Sequence, residues 1–162
     1  MTDTLFVFYS LEGNTAFVAE TASETAEMDV ERLVPEKEPP KKGAGKFFWG
    51  GKSVVFNEKP KLAPLKYDIS AYSNIIIGFP VWAGSYPPAV ASFLNDHDLS
   101  GKKVYVIACS AGGNAEKALK KLADNLPGSN ITDSLSLTDP LRDKEKNSKL
   151  IVDFIEKNFS SR

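Results

Sequence analysis

Cysteine is almost missing from this chain: Cys109 stands alone among 162 residues. A lone thiol excludes an internal disulfide framework and a cysteine-ligated zinc site. Histidine is as scarce, with His97 the single imidazole. On that count a histidine-cluster metal site and a Ser-His-Asp hydrolase are disfavoured, and no metal centre is expected. Surplus charge is also lacking. Lys and Arg number 20 against 21 Asp and Glu, a net charge of −1, whereas a phosphate-backbone binder needs a positive excess. No nucleic-acid partner is expected. The longest nearly apolar stretch runs only from Ile75 to Ala83, against about 20 residues for a membrane-spanning helix, so no membrane partner is expected either. Met1-Thr2-Asp3 precedes the first apolar run without a basic segment, which does not match a signal peptide, and a cytoplasmic location is the default.

What is present supports a buried core. Hydrophobic residues make up 42%, aromatics 10% and charged residues 25% of the chain, and the length suits one domain over residues 1–162. Charge is uneven along it. Residues 1–34 hold seven acids and one base, residues 35–66 hold eight lysines and three glutamates, and the remainder is balanced at eleven each. The middle segment also holds five of the ten prolines, Pro35, Pro39, Pro40, Pro60 and Pro64, which interrupt regular structure. It reads as a Pro/Lys-rich insertion at about 35–66. Phe47, Phe48, Trp49, Val54, Val55 and Phe56 are too apolar for a free linker, so a short helix around 45–56 is expected to pack on the domain. The excursion is either a solvated lysine-rich loop or a patch for docking a partner.

Strand and helix patterns alternate. Leu5–Tyr9 is a continuous apolar run, as in a strand buried on both faces. A helical pattern follows from Gly13-Asn14-Thr15 to about Met28. Val30–Val34 is a second strand candidate, and Asn74–Phe79 is the clearest third. Pro87 and Pro88 suit the first turn of a helix reaching Leu94. Val104–Ala108 is a fourth strand, with a helix after Gly112-Gly113 to about Leu126. Ile131–Leu137 alternates like an edge strand, and Lys144–Phe159 places Leu150, Ile151, Phe154 and Ile155 at helical spacing. This order predicts a three-layer α/β sandwich around a parallel sheet. In such sheets a ligand sits beyond the carboxyl ends of the strands, where the strand order reverses. The loops after the first, third and fourth strands therefore carry the function.

The first of these loops is Ser10-Leu11-Glu12-Gly13-Asn14-Thr15. Gly13 permits a close backbone approach, the first free N–H groups of the helix point at one small anion, and the Ser10, Asn14 and Thr15 side chains can donate to it. With no Lys or Arg present, the loop suits a monophosphate rather than a triphosphate. The P-loop and Gly-x-Gly-x-x-Gly patterns are both absent. Equally, Ser, Asn and Thr serve an ordinary helix cap. The second loop, Pro80-Val81-Trp82-Ala83-Gly84-Ser85-Tyr86, brings two aromatics to a strand end. Trp82 and Tyr86 either cover a flat ring or cap the core beneath the loop. The third loop, Ser110-Ala111-Gly112-Gly113-Asn114, follows Cys109. Its small residues leave backbone N–H groups open to ring carbonyls. Cys109 itself reads as a small buried apolar residue. A phosphatase would need an arginine at position 115, which is Ala, and His97 in Asn95-Asp96-His97-Asp98 reads as solvated. A receiver domain is disfavoured, because Tyr9-Ser10 and Phe79-Pro80 stand where it needs acids.

Taken together, these loops resemble a known family. Tyr9-Ser10-Leu11-Glu12-Gly13-Asn14-Thr15 is similar to the FMN-phosphate loop of flavodoxins, with Glu12 standing where a hydroxyl residue is usual. Gly78-Phe79-Pro80-Val81-Trp82-Ala83-Gly84, followed by Pro87-Pro88, resembles the third-strand segment of short bacterial flavodoxin-like proteins. Ser110-Ala111-Gly112-Gly113-Asn114 resembles their fourth-strand loop, and Lys46-Phe47-Phe48-Trp49-Gly50-Gly51-Lys52 an insertion of the same subgroup. The resemblance implies a five-stranded parallel sheet in order 2-1-3-4-5, bound FMN, and electron transfer between redox partner proteins by a monomer or weak dimer. Ser10, Leu11, Glu12, Gly13, Asn14 and Thr15 would surround the phosphate. Pro80, Val81, Trp82, Ala83, Gly84 and Tyr86 would flank the ring, with Trp82 covering one face. Ser110, Ala111, Gly112, Gly113 and Asn114 would meet the pyrimidine edge. Trp49 is a candidate for the second cover. No residue is assigned a catalytic role. The alternative is an FMN-dependent NAD(P)H:quinone or nitro-compound reductase on the same fold. The chain departs from the strongly acidic character typical of carrier flavodoxins.

Overall fold

The apolar runs become the strands of one sheet. The computed structural model describes residues 2–37, 59–112 and 115–160. In chain order these form β1 (Thr4–Phe8), α1 (Asn14–Thr25), β2 (Asp29–Arg32), a 3-10 turn (Ile69–Ala71) and β3 (Asn74–Pro80). They continue as α2 (Pro88–Asp96), β4 (Lys103–Ser110), α3 (Glu116–Asp124), β5 (Ile131–Thr138) and α4 (Lys144–Phe159). All pairings are parallel, in the order β2-β1-β3-β4-β5. The expected sheet order is thus the observed one.

Alternation along the strands sorts the core into two layers. Leu5, Val7, Ile75, Ile77, Val104 and Val106 face one way, onto Val90 and Phe93 of α2 and Ala118 and Leu122 of α3. Phe6, Phe8, Ile76, Tyr105 and Ile107 face the other way, onto Val18 and Ala22 of α1 and Ile151, Phe154 and Ile155 of α4. Strands buried on both faces need side chains without polar atoms, which is why β1, β3 and β4 read as continuous apolar runs. In β5 every second residue is exposed, as an edge strand covered on one face requires.

Element ends shift by a few residues from expectation. α1 stops at Thr25 rather than Met28, because Ala26 turns extended and its N–H closes on the Ala22 carbonyl. α3 is confined to Glu116–Asp124, with Asn125 donating to the Leu122 carbonyl and Leu126 packed in the core beyond it. Both described ends of the insertion are tied down. Pro35 and Leu62 form an antiparallel bridge, Ser92 Oγ donates to the Pro60 carbonyl, and the Glu31 carboxylate accepts the N–H groups of Lys66 and Tyr67 at 2.8 and 3.0 Å. The helix expected around 45–56 lies outside the described residues. No described helix is long and apolar enough to cross a membrane.

Candidate functional site

β1, β3 and β4 end side by side, and the loops that leave them meet around one cleft of about 310 Å³, a size in the range of small-molecule sites. Its lining comes from Ser10, Leu11, Glu12, Asn14 and Thr15 at the β1–α1 junction, from Pro80 at the end of β3 and Val81–Ala83 beyond it, from Cys109 and Ser110 at the end of β4 and Ala111 beyond it, and from Asp139 and Pro140 after β5. This is the point where the chain order reverses, with β2 on one side of β1 and β3 on the other.

The first loop is built around Gly13, whose φ of 102° lies in the left-handed region that glycine adopts without strain. Its N–H donates to Ser10 Oγ at 3.2 Å, folding the loop back on itself. Among the described residues no side chain caps the start of α1, so the first-turn N–H groups keep their capacity for an acceptor. Asn14 Oδ1 accepts the Leu141 N–H at 3.0 Å, leaving its amide donors for other use. Thr15 is 1% exposed and Ser110 8%, yet neither hydroxyl meets a hydrogen-bond partner among the described residues. The nearest chemical relation of Thr15 is with Cys109. Burial pushes that thiol up to about 12, and the Thr15 hydroxyl opposes the shift in part. A thiol kept protonated there is no nucleophile.

The second loop is a tight hairpin. Trp82 and Ser85 exchange both backbone hydrogen bonds at 2.9 Å, and Ala83 and Gly84 take φ of 49° and 71°. Two left-handed residues in succession make a type I′ turn. Ala83 holds a conformation that costs a side-chain-bearing residue on the order of 1 kcal/mol, a cost of the kind that clusters where a loop must present itself to a ligand. The Trp82 ring stands edge-on to Tyr9, 5.5 Å away at 89°, which fixes its orientation beside the cleft.

The chain's own residues fit a flavin monophosphate. Neutral donors and an uncapped helix start suit one phosphate, and the buried Thr15 and Ser110 hydroxyls line the same cleft. Pro80, Val81 and Trp82 supply an apolar wall for a flat ring. Glu12 lines the cleft but is exposed to solvent, so its charge is screened rather than buried against an anion.

The sequence model of the flavodoxin family matches residues 3–153. The chain belongs to the flavodoxin family. Solved structures agree in fold. A flavoprotein in complex with FMN from Lactobacillus acidophilus is 21% identical, with 90% of this chain and 98% of that one covered at a TM-score of 0.73. A Bacteroides uniformis protein assigned as a flavoprotein is 23% identical, with 96% and 98% covered at 0.80. An NADPH-quinone reductase from P. pentosaceus is 14% identical over the full length of both chains, at 0.59. No curated protein matches the sequence.

Against this flavodoxin frame, the structure brings eleven of the expected site residues into the cleft lining: Ser10, Leu11, Glu12, Asn14, Thr15, Pro80, Val81, Trp82, Ala83, Ser110 and Ala111. Gly13 and Gly84 shape the turns without lining it. Tyr86, expected beside the ring, does not line the cleft. It is 7% exposed, meets Phe79 edge-on at 6.2 Å, and lies under the Lys121 ammonium. Gly112 is exposed and does not line the cleft, and Gly113, Asn114 and Trp49 lie outside the described residues. Three lining residues were not expected, Cys109, Asp139 and Pro140. The last two arrive with the β5–α4 loop, where the Asp139 N–H donates to the Ser110 carbonyl at 3.0 Å. Nothing in Thr138-Asp139-Pro140 distinguishes it in sequence from an ordinary turn. Among the described residues no group of acidic, histidine or cysteine side chains could hold a metal.

Proposed function

We propose that the protein binds FMN in this cleft and passes electrons between redox partner proteins. The observation that carries the reading is a cleft built by three loops of a flavodoxin fold, lined by an uncapped helix start and by the buried hydroxyls of Thr15, beside the Cys109 thiol, and Ser110, which has no hydrogen-bond partner among the described residues. Buried polar groups are ordinarily satisfied, and a ligand in the cleft would offer the Ser110 hydroxyl an acceptor. Ser10, Gly13, Asn14 and Thr15 would hold the phosphate. Trp82 would cover one ring face, with Ala83-Gly84 near the reducible edge and the backbone of Ser110–Gly112 at the pyrimidine edge. Once bound, FMN supplies one- and two-electron redox chemistry at its ring. The apolar wall disfavours added negative charge on that ring and so depresses the potential at which it is acquired.

Titration of the purified protein with FMN, followed by flavin absorbance and calorimetry, tests the reading. Saturable binding at micromolar FMN is expected, and its absence refutes the proposal. Asn14→Ala should weaken FMN by about tenfold through one lost hydrogen bond to a charged group. Mixing the FMN-loaded protein with NADPH in a stopped-flow instrument separates the roles: no fast reduction is expected of a carrier, whereas rapid reduction assigns a reductase.

A further inference from the structure

The anion cradle contains no cation of its own, yet one stands directly behind it. Arg32 is the sole Lys or Arg among residues 1–34. It ends β2 in register with Phe8. Its Nη2 donates to the Ser10 carbonyl at 2.8 Å, and its guanidinium lies 5.7 Å from the Phe8 ring centroid. The backbone ladder runs out just before this point, with the Leu33 N–H on the Phe8 carbonyl at 2.7 Å. The guanidinium supplies one more rung beyond the end of the strand pair, from side chain to loop.

We infer that Arg32 is a positioning residue for the phosphate of the bound cofactor, an inference that rests on FMN occupying the cleft. A trans peptide is planar, with its C=O and N–H pointing in opposite directions, and no described peptide is cis. Holding the Ser10 carbonyl toward β2 turns the Leu11 N–H away from β2. In the order β2-β1-β3 that direction leads toward β3 and the cleft that Ser10 and Leu11 line. Ser10 is held a second time, since its Oγ accepts the Gly13 N–H. The Ser10–Leu11 peptide is therefore locked before any ligand arrives, and the locking group carries the positive charge that the loop itself lacks. Arg32 is exposed, so its charge acts mildly through solvent. Its main effect is to pre-orient one N–H donor.

The test compares FMN with riboflavin, which lacks the phosphate. Affinities for both are measured in the full-length protein, in Arg32→Ala and in Arg32→Met, the latter keeping an apolar stem over Phe8. Both variants should lose about tenfold in FMN affinity, the scale of one charge-assisted contact. Riboflavin affinity should stay unchanged, which also reports that the fold is intact. Unchanged FMN affinity in either variant, or equal losses for FMN and riboflavin, overturns the role of Arg32. Failure of the unaltered protein to bind FMN would instead remove the cofactor reading itself.

Discussion

Thr15 Oγ1 and Ser110 Oγ are buried hydroxyls for which the geometry gives no hydrogen-bond partner among the described residues. Each costs stability in the ligand-free protein, because desolvating a polar group without replacing its water is unfavourable by about 1–3 kcal/mol. Thr15→Val separates this cost from a role in binding, since it replaces the hydroxyl by a methyl of the same shape. It should raise the stability of the FMN-free protein by about 1 kcal/mol in urea denaturation while weakening FMN about tenfold. A variant that is destabilised and binds FMN normally would make Thr15 a plain core residue. Ala83 tells a similar story on the backbone, holding a φ of 49° where glycine or asparagine would be at ease. That strain had no signal in the sequence, because the Ala83-Gly84 pair reads as a flexible loop until Trp82 and Ser85 close the turn beneath it.

Among elements, β2 is the short outer strand, and it is held as much by side chains as by its ladder. The Tyr72 hydroxyl donates to Asp29 Oδ2 at 2.6 Å at the start of the strand. Glu31 takes two backbone N–H groups from residues 66 and 67, and Arg32 reaches Ser10 at its end. Burial, together with the bond to Asp29, pushes Tyr72 up to about 12. A group whose native pKa is raised holds its proton more tightly in the folded state. Its contribution is therefore complete below the unfolded value of about 10 and is lost as pH rises toward 12. Tyr72→Phe should accordingly lower stability at pH 7 and flatten the decline between pH 10 and 12, measured as urea midpoints across that window. An unaltered alkaline decline would show that Tyr72 does not control it. β1, β3 and β4 are legible in sequence because strands covered on both faces admit only apolar runs. β2 is less so, since three of its four residues, Asp29, Glu31 and Arg32, are charged and find their partners only in the folded chain.

On the scale of the whole molecule, the helices cover both faces of the sheet and leave its carboxyl edge to the loops. The topology places that cleft before any site residue is chosen, so its position could be read from the order of strand and helix patterns alone. Two features of the site could not. Tyr86 is indistinguishable in sequence from a ring cover because an aromatic at a strand end fills a core and a binding wall equally well; in the fold it is buried against Phe79. Asp139 and Pro140 reach the cleft only because β5 lies beside β4 and its loop returns over Ser110, with Asn14 gripping the Leu141 N–H. A ligand in this cleft would touch loops that follow β1, β3, β4 and β5, and so would join four segments far apart in sequence. Binding of that kind stabilises the native state alone. At an FMN concentration of 100 times the dissociation constant the gain is about 2.7 kcal/mol. For a chain of this length that gain raises the melting temperature by about 5–10 °C. The rise should follow the logarithm of FMN concentration and should be smaller with riboflavin, which cannot engage Ser10, Gly13, Asn14 and Thr15 through a phosphate. A melting temperature indifferent to FMN would mean that these four loops do not share a ligand.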